Sequence, residues 1–425
     1  MIASGVTFIG LLVLGVPVFV CLLVTSLVGL ILVHDVPLAV IAAKTASASD
    51  SYVLLAIPLF MLAGSLMSHG GVATRLFDLA RALVGHLTGG LAQINVLLST
   101  LNGGFSGSSA ADAALDSRII VPQMRADGYP VAFSAAITAA SAMLANIIPP
   151  SIAMLVYAAV ANVSVGKLFI AGVIPGLLMA LAISLTAYRT CRREGYGTPK
   201  PRASAAEVGR AFRGAVLALS LPVIVVGGIR FGYFTPTESG AIAVAIALIL
   251  GLFVYRELDP RALPGILTRT AVDTGVIMLI ISFSAPVALV LAYNQAPQQL
   301  AAFFAGFSGS EALFLLAVNI FLLFGGCFLE GVTLLVLTTP LLAPAAAALN
   351  IDPIHFGMVV VFNVVLGSIT PPFGQLVYMV SSLTRAPPEA VFRQVLPYLP
   401  LLFLTLGIVT YLPQSFLWMV AVFGP

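Results

Sequence analysis

Two proline pairs stand inside apolar stretches of this 425-residue sequence, in Asn146-Ile-Ile-Pro-Pro-Ser151 and Gly367-Ser-Ile-Thr-Pro-Pro372. Each proline removes a backbone donor, and its ring clashes with an earlier carbonyl. The residue before a proline is also pushed out of the helical region. Both stretches are therefore predicted to be unwound, each splitting a helix in two. Main-chain carbonyls freed in lipid cost roughly several kcal/mol each unless something satisfies them. A dehydrated sodium ion satisfies several at once, because hard cations take oxygen ligands. Unwound carbonyls are a recurring ion site in transporters. A kink satisfied by neighbouring helices is the alternative, and the occurrence of a second pair at a matched position favours the ion.

Two further clusters have the composition of ion-binding turns. The run Asn102-Gly-Gly-Phe-Ser-Gly-Ser-Ser109 joins glycines to hydroxyls, with Phe105 its one bulky apolar residue. Glycine permits a tight turn and a close backbone approach. The hydroxyls add oxygen ligands. The run Gly325-Gly-Cys-Phe-Leu-Glu-Gly331 places Glu330 alone in a strongly apolar stretch. An acid at mid-span costs about 3 kcal/mol on insertion scales and is functional by default. Glu330 is a cation ligand, a proton carrier, a helix-start charge, or a side chain at a solvated tip. Asp112 and Asp116 are similar candidates, with helix capping or pairing to Arg118 as their alternatives.

Enzyme chemistry finds no such support. The four histidines, His34, His69, His86 and His355, and the three cysteines, Cys21, Cys191 and Cys327, lie far apart. They form no metal-ligand or disulfide pattern. No phosphate-binding loop, dinucleotide fingerprint or zinc motif appears. The stretch Gly104-Phe-Ser106-Gly-Ser108 lacks the glycine spacing of a nucleophile elbow.

The elements that must position these residues are membrane helices. Apolar side chains make up 60% of the chain and charged ones 8%; soluble domains carry about 25% charged residues. Lipid must therefore surround most of it, and the apolar runs are continuous rather than alternating, which selects helices over a barrel. Apolar segments fall at 5–33, 52–68, 130–162, 167–188, 214–229, 237–255, 271–293, 355–383 and 395–424. The segments 88–122 and 311–348 carry breaks near their middles and are expected to be re-entrant helical hairpins. The first run, 5–33, is too long for a signal peptide and is expected to be a retained span kinked at Pro17. Segments 72–86 and 256–269 have amphipathic spacing and are expected along the cytoplasmic interface.

The polar stretch 189–213 holds Arg189, Arg192, Arg193, Lys200, Arg202, Arg210 and Arg213, and the positive-inside rule makes it cytoplasmic. Counting spans outward from it puts every lysine and arginine except Lys44, Lys167 and Arg230 on that side. Treating either hairpin as a full crossing scrambles this asymmetry.

The halves share a proline skeleton. Pro130, Pro149, Pro150 and Pro175 correspond to Pro353, Pro371, Pro372 and Pro397 at offsets of 223, 222, 222 and 222. Gly103-Gly104 match Gly325-Gly326 at 222. By the span count the halves enter from opposite faces, as inverted-topology repeats do. The expected organisation is an N-terminal scaffold span in 1–51, a first repeat over 52–188 and the cytoplasmic loop 189–213. Scaffold spans over 214–255 and a second repeat over 256–425 follow, with the helix breaks at 146–151 and 367–372.

Several stretches look familiar: LLAIPLFMLAGSLMSHGG (54–71), GGFSGSSAADAA (103–114), PQMRADGYP (122–130), IIPPSIAMLVY (147–157), GKLFIAGVIPGLL (166–178), FTPTESGAIAV (234–244), NIDPIHFG (350–357) and ITPPFGQLVY (369–378). They cover nearly the whole chain in order. On them the chain resembles the large membrane subunit of TRAP (tripartite ATP-independent periplasmic) transporters, the DctM-like permeases. The resemblance implies import of an organic acid, often a carboxylate, across the bacterial inner membrane on a sodium gradient. It implies two partners, a small four-helix membrane subunit and a soluble periplasmic binding protein. No segment is left over for the small subunit, so it is expected as a separate chain. The implied fold is an elevator-type transporter, in which hairpins and broken helices move against a scaffold. No cofactor beyond the coupling sodium ions and no nucleic-acid partner is implied.

The resemblance also carries sites. A first sodium site would use Ser106 with backbone oxygens near Ala145, Ile148 and Pro150. Adding 222 gives Gly367, Thr370 and Pro372, which would join Glu330 and Thr333 in a second. Ala145 stands where glycine is usual, and Glu330 where aspartate is usual. Substrate would bind between the hairpin tips, near Ser108, Ser109 and Asn146. A self-sufficient sodium/carboxylate symporter of related elevator fold is the alternative reading.

Overall fold

The computed structural model describes residues 2–34, 37–198, 200–307 and 310–424. Positions 1, 35–36, 199, 308–309 and 425, which fall in the expected N-terminal span, cytoplasmic loop and second repeat, lie outside them. The described residues are helical with no strand. Eight helical stretches are long and apolar enough to cross a membrane. The other apolar helices are shorter, and proline or glycine interrupts or bounds most of them.

Two helical repeats flank a pair of helices, Ala205–Arg230 and Pro236–Ile249. In the first repeat, the hairpin arms are Gly90–Ser106 and Ser109–Ile119. The broken span then runs through Val131–Ala142, a 3-10 turn at Met143–Asn146, an unwound stretch, and Ile152–Ala161. In the second repeat, the arms are Ser310–Phe328 and Gly331–Ala348, and the broken span is Pro353–Gly367 and Gln375–Thr384. Arm ends, arm starts and helix breaks recur at the offset read from the prolines. Even the left-handed residues closing the broken spans correspond, Asn162 at φ 54° and Arg385 at φ 57°. The repeats have inverted topology. Both proline pairs are joined by cis peptides.

The repeats interlock crosswise. The second arm of the first hairpin packs on Gln375–Thr384, and the second arm of the second packs on Ile152–Ala161. Tyr157 pins this junction. Its ring is fully buried, its hydroxyl donates to the Pro353 carbonyl at 3.2 Å, and a Cβ on Gly357 would run into it.

Within each repeat, buried amides tie the first hairpin arm to the first half of the broken span. Asn95 Nδ2 donates to Thr138 Oγ1 at 2.8 Å, and Ser141 Oγ donates to Asn95 Oδ1 at 2.7 Å. In the second repeat, Asn363 Nδ2 donates to Asn319 Oδ1 at 2.7 Å, and Asn319 Nδ2 to Thr410 Oγ1 at 3.0 Å. Ser141 and Asn363 are repeat equivalents, at an offset of 222.

Three expectations need correction. The run 5–33 is two helices, Ile2–Val13 and Val18–His34, rather than one span. Gly15 at φ 75° turns the chain, and Pro17 lacks the donor to continue a helix. The two fold back on each other, so that a Cβ on Gly29 would lie 2.8 Å from Ser4 Oγ. Segment 256–269 is not a separate interfacial helix, because Leu263–Tyr293 runs unbroken. Pro264 sits in its first turn, where a missing donor costs nothing. The last run, 395–424, is interrupted at Leu412-Pro413 between Leu399–Tyr411 and Gln414–Phe423.

Segment 72–86 does form an amphipathic helix, Val72–Val84. Leu76, Leu79 and Ala80 are buried and Asp78 and Arg81 exposed. Arg75 reaches from it to Glu257 at 2.7 Å and lies over the Tyr255 ring at 3.8 Å.

Candidate functional site

The two hairpin tips are tighter than the glycine clusters suggest. The first turn is Gly107-Ser108, with Gly107 at φ 57°. The second is Leu329-Glu330. The glycine pairs Gly103-Gly104 and Gly325-Gly326 remain helical. Two of these four, together with Gly107, serve close approach to a broken span. A Cβ on Gly103 would stand 3.2 Å from Ala145 Cα and 3.3 Å from Ile148 Cβ, and one on Gly107 3.1 Å from the Pro150 carbonyl oxygen. A Cβ on Gly326 would stand 3.0 Å from Gly367 Cα. A Cβ on Gly104 would instead meet the ring of Pro222, 3.1 Å away in Ala205–Arg230. Each hairpin is thus seated on the unwound stretch of its own repeat.

At the first tip, Gly103 and Gly107 on either side of Ser106 bring the hairpin against Ala145, Ile148 and Pro150. The Ser106 hydroxyl donates to Asp112 Oδ1 at 3.2 Å, which leaves its lone pairs free to accept. Among the described residues, neither the Ile148 nor the Pro150 carbonyl accepts a hydrogen bond. The Gly107 carbonyl accepts from Ile152 N at 3.3 Å, a main-chain bond from hairpin to broken span. Ser151 caps the second half of the span by accepting from Met154 N at 3.3 Å, and donates to the Asn146 carbonyl at 2.6 Å. The expected substrate residues cluster beside this. Asn146 Oδ1 accepts from Ser109 N at 3.1 Å, and Ser108 caps Ser109–Ile119.

At the second tip, Gly367 ends the first half of the broken span, and Thr370 and Pro372 lie in the unwound stretch that follows. The Thr370 hydroxyl donates back to the Leu366 carbonyl at 2.8 Å, again leaving lone pairs outward. Among the described residues, the Thr370 and Pro372 carbonyls have no donor, while the Gly367 carbonyl accepts from Thr370 N at 3.0 Å. Glu330 is exposed and caps Gly331–Ala348, its Oε2 accepting from Thr333 N at 3.0 Å and Thr333 Oγ1 at 3.4 Å. Of the roles open to Glu330, the geometry is that of a helix-start charge, favoured by the N-terminal dipole. It occupies the position equivalent to Ser108, at an offset of 222.

Neither alternative for the first hairpin's acids holds. Asp112 and Asp116 are fully buried and face the other arm, while Arg118 is exposed. Asp116 Oδ2 accepts from Ser99 Oγ at 2.6 Å. Sequence spacing supplied one clue, since residues four apart share a helix face.

A family model described as the DctM component of the tripartite ATP-independent periplasmic transporter matches residues 6–415. The sialic acid TRAP transporter large permease protein SiaM of Vibrio cholerae is 39% identical over 414 residues, 97% of either chain. The C4-dicarboxylate TRAP transporter large permease protein DctM of Pseudomonas aeruginosa is 43% identical over 373 residues, covering 88% of this chain and 87% of its own. The sialic acid TRAP transporter permease protein SiaT of Haemophilus influenzae is 36% identical across 97% of this chain but is longer, the match spanning 68% of it. Among solved structures, the Alcanivorax borkumensis YdaH transporter, reported to have an unusual topology, superposes with a TM-score of 0.62. The superposition covers 89% of this chain and 88% of that one. At 15% identity that likeness concerns the fold alone. The relatives are transport permeases and not enzymes. With hairpins seated on paired helix breaks in a polytopic helical frame, the chain belongs to the DctM-component family of tripartite ATP-independent periplasmic transporters, as a large permease.

Proposed function

We propose that this permease imports an organic acid across the bacterial inner membrane, driven by sodium, with its hairpins and broken spans moving together against the scaffold as an elevator. The observation that carries the reading is the paired seat. In each repeat a hairpin tip lies on an unwound proline pair where carbonyls, those of Ile148 and Pro150 in the first and of Thr370 and Pro372 in the second, lack donors among the described residues, and where a neighbouring hydroxyl gives its hydrogen elsewhere. Such oxygens are the ligands a hard monovalent cation takes. The first ion would sit at Ser106, Ala145, Ile148 and Pro150, and the second at Glu330, Thr333, Gly367, Thr370 and Pro372. The solute would lie near Ser108, Ser109 and Asn146. The buried amide ties between hairpin and broken span support movement of each pair as one body.

A carboxylate solute accords with relatives named for sialic acid and for C4-dicarboxylates. The family's tripartite description supports two partners, a small four-helix membrane subunit on a separate chain and a periplasmic binding protein. The energetics suffice, since each net positive charge moved inward gains about 2.3 kcal/mol per 100 mV before any concentration gradient is counted. The test is uptake into proteoliposomes holding this chain. Transport should require sodium, the small subunit and the cognate binding protein together. Full uptake by this chain alone would replace the tripartite reading with a self-sufficient sodium/carboxylate symporter, and uptake indifferent to sodium would end the ion assignment.

A further inference from the structure

The interior of the first hairpin holds a charge problem that the two proposed ion sites do not solve. Asp112 and Asp116 are both completely buried. They lie four residues apart on Ser109–Ile119 and point at the opposite arm, where Ser99, Asn102 and Ser106 share one face. The arms run antiparallel, so Ser106 meets Asp112 and Ser99 meets Asp116, each hydroxyl donating to one carboxyl oxygen. Asn102 falls between them. The remaining oxygens, Asp112 Oδ2 and Asp116 Oδ1, have no hydrogen-bond partner, and neither has the buried Nδ2 of Asn102. Asn102, Ser106 and Asp112 line one cavity of about 10 Å³ with Gly64 and Ser68 of the adjoining helix. That is about the size needed to hold one water-sized guest.

No basic side chain answers these acids. Both ion pairs among the described residues lie elsewhere. The elements packed on Ser109–Ile119 are the first arm, Val121–Ala126, Val131–Ala142 with its 3-10 turn, and Gln375–Thr384. Among them Arg125 is the one basic residue and Tyr378 the one other titratable group, and Arg125 and the helix's own Arg118 are exposed. The helices that complete the cavity, Ala56–His69 and Val72–Val84, carry His69, Arg75, Asp78 and Arg81; His69, Asp78 and Arg81 are exposed, and Arg75 pairs with Glu257. Two buried carboxylates without a counter-charge are unfavourable unless a cation joins them or protons neutralise them.

We propose that Asp112, Asp116 and Asn102 bind a third alkali cation of sodium size inside the first hairpin, apart from the two sites at the proline pairs. The ligands are all oxygens, two carboxylate and one amide, with the Asn102 amide turned so that its oxygen faces the ion. This composition suits a hard monovalent ion. The inference rests on the proposed function in taking sodium as the ion. A cation here would tie the two arms together, so that the tip carrying Ser108 and Ser109 is firm when sodium is bound.

The experiment is equilibrium binding of ²²Na⁺ to the purified full-length chain. Asp116→Asn and Asn102→Ala are compared with Thr370→Ala, which touches the other repeat. Asp116→Asn should lower the ions bound per chain by one. Asn102→Ala, the milder change should the first fail to fold, should raise the half-saturating sodium of one site by fivefold or more. Thr370→Ala should leave that site intact. Full wild-type stoichiometry and midpoint in either folded variant at residues 116 or 102 would overturn the proposal, whether a proton or a water sits there instead. Wild-type protein that binds no ²²Na⁺ would overturn the sodium reading as a whole, which distinguishes the two failures.

Discussion

Placing one methyl group at the second seat tests the ion geometry most directly. Gly367→Ala would put its Cβ 2.7 Å from Gly326 Cα, 2.9 Å from the Gly326 carbonyl carbon and 3.1 Å from the Leu323 carbonyl oxygen. These neighbours are backbone and cannot swing aside. Ordinary carbon contacts lie at about 3.5–4.0 Å, so the hairpin must withdraw by roughly 1 Å. Overpacking of this kind costs about 1–3 kcal/mol, or a factor of roughly five to a hundred and fifty in an equilibrium constant. The Gly367 carbonyl is an expected ligand, and the withdrawing arm leads directly to Glu330, so the cost falls on sodium affinity. The assay is the sodium dependence of ²²Na⁺ binding and of reconstituted uptake. Gly407→Ala is the control, because a Cβ there meets nothing within 4 Å. A half-saturating sodium concentration in Gly367→Ala within twofold of the control would refute the claim that hairpin and broken span share an ion.

Three further outcomes are expected. Ser106→Ala and Thr370→Ala should each raise the sodium needed for half-maximal uptake, and unchanged dependence in both would remove the ion assignment while leaving the fold intact. Asn95→Ala should lower stability by about 1–3 kcal/mol, because it leaves buried Thr138 and Ser141 hydroxyls without their partner; a thermal melt in detergent reads this. Arg75→Ala should cost no more than about 1 kcal/mol, since its pair with Glu257 is part-exposed. The difference in melting temperature from wild type should shrink at high salt.

Much of the frame was legible because its signals are local. A proline pair breaks a helix wherever it stands, so both discontinuities and their offset could be read directly. Glu330 in an apolar run marked a hairpin tip. The less legible parts depend on distant neighbours. Gly103 and Gly326 read as turn formers, yet they remain helical because Ala145 and Gly367 press against them. Asp112 and Asp116 read as candidates of the same kind as Glu330, with capping or pairing to Arg118 as alternatives, and their hydrogen-bond partners, Ser106 and Ser99, became apparent only when the arms were laid side by side. The N-terminal run read as one span kinked at Pro17, because hydropathy is blind to the full fold-back that Gly15 makes there. The long helix from Leu263 hid behind Pro264, whose effect reverses at a helix start.

The crosswise docking of the repeats also bears on how the molecule is made. Helix Ser109–Ile119 leaves the ribosome early, yet the segment it finally leans on, Gln375–Thr384, emerges more than two hundred residues later. Until then the face it turns to that segment has no lasting shelter from lipid, and the early half waits on the late one. Biogenesis therefore ends in a single joining step near the close of translation, and a chain cut short before that point would be a substrate for quality-control proteases rather than a half-sized transporter.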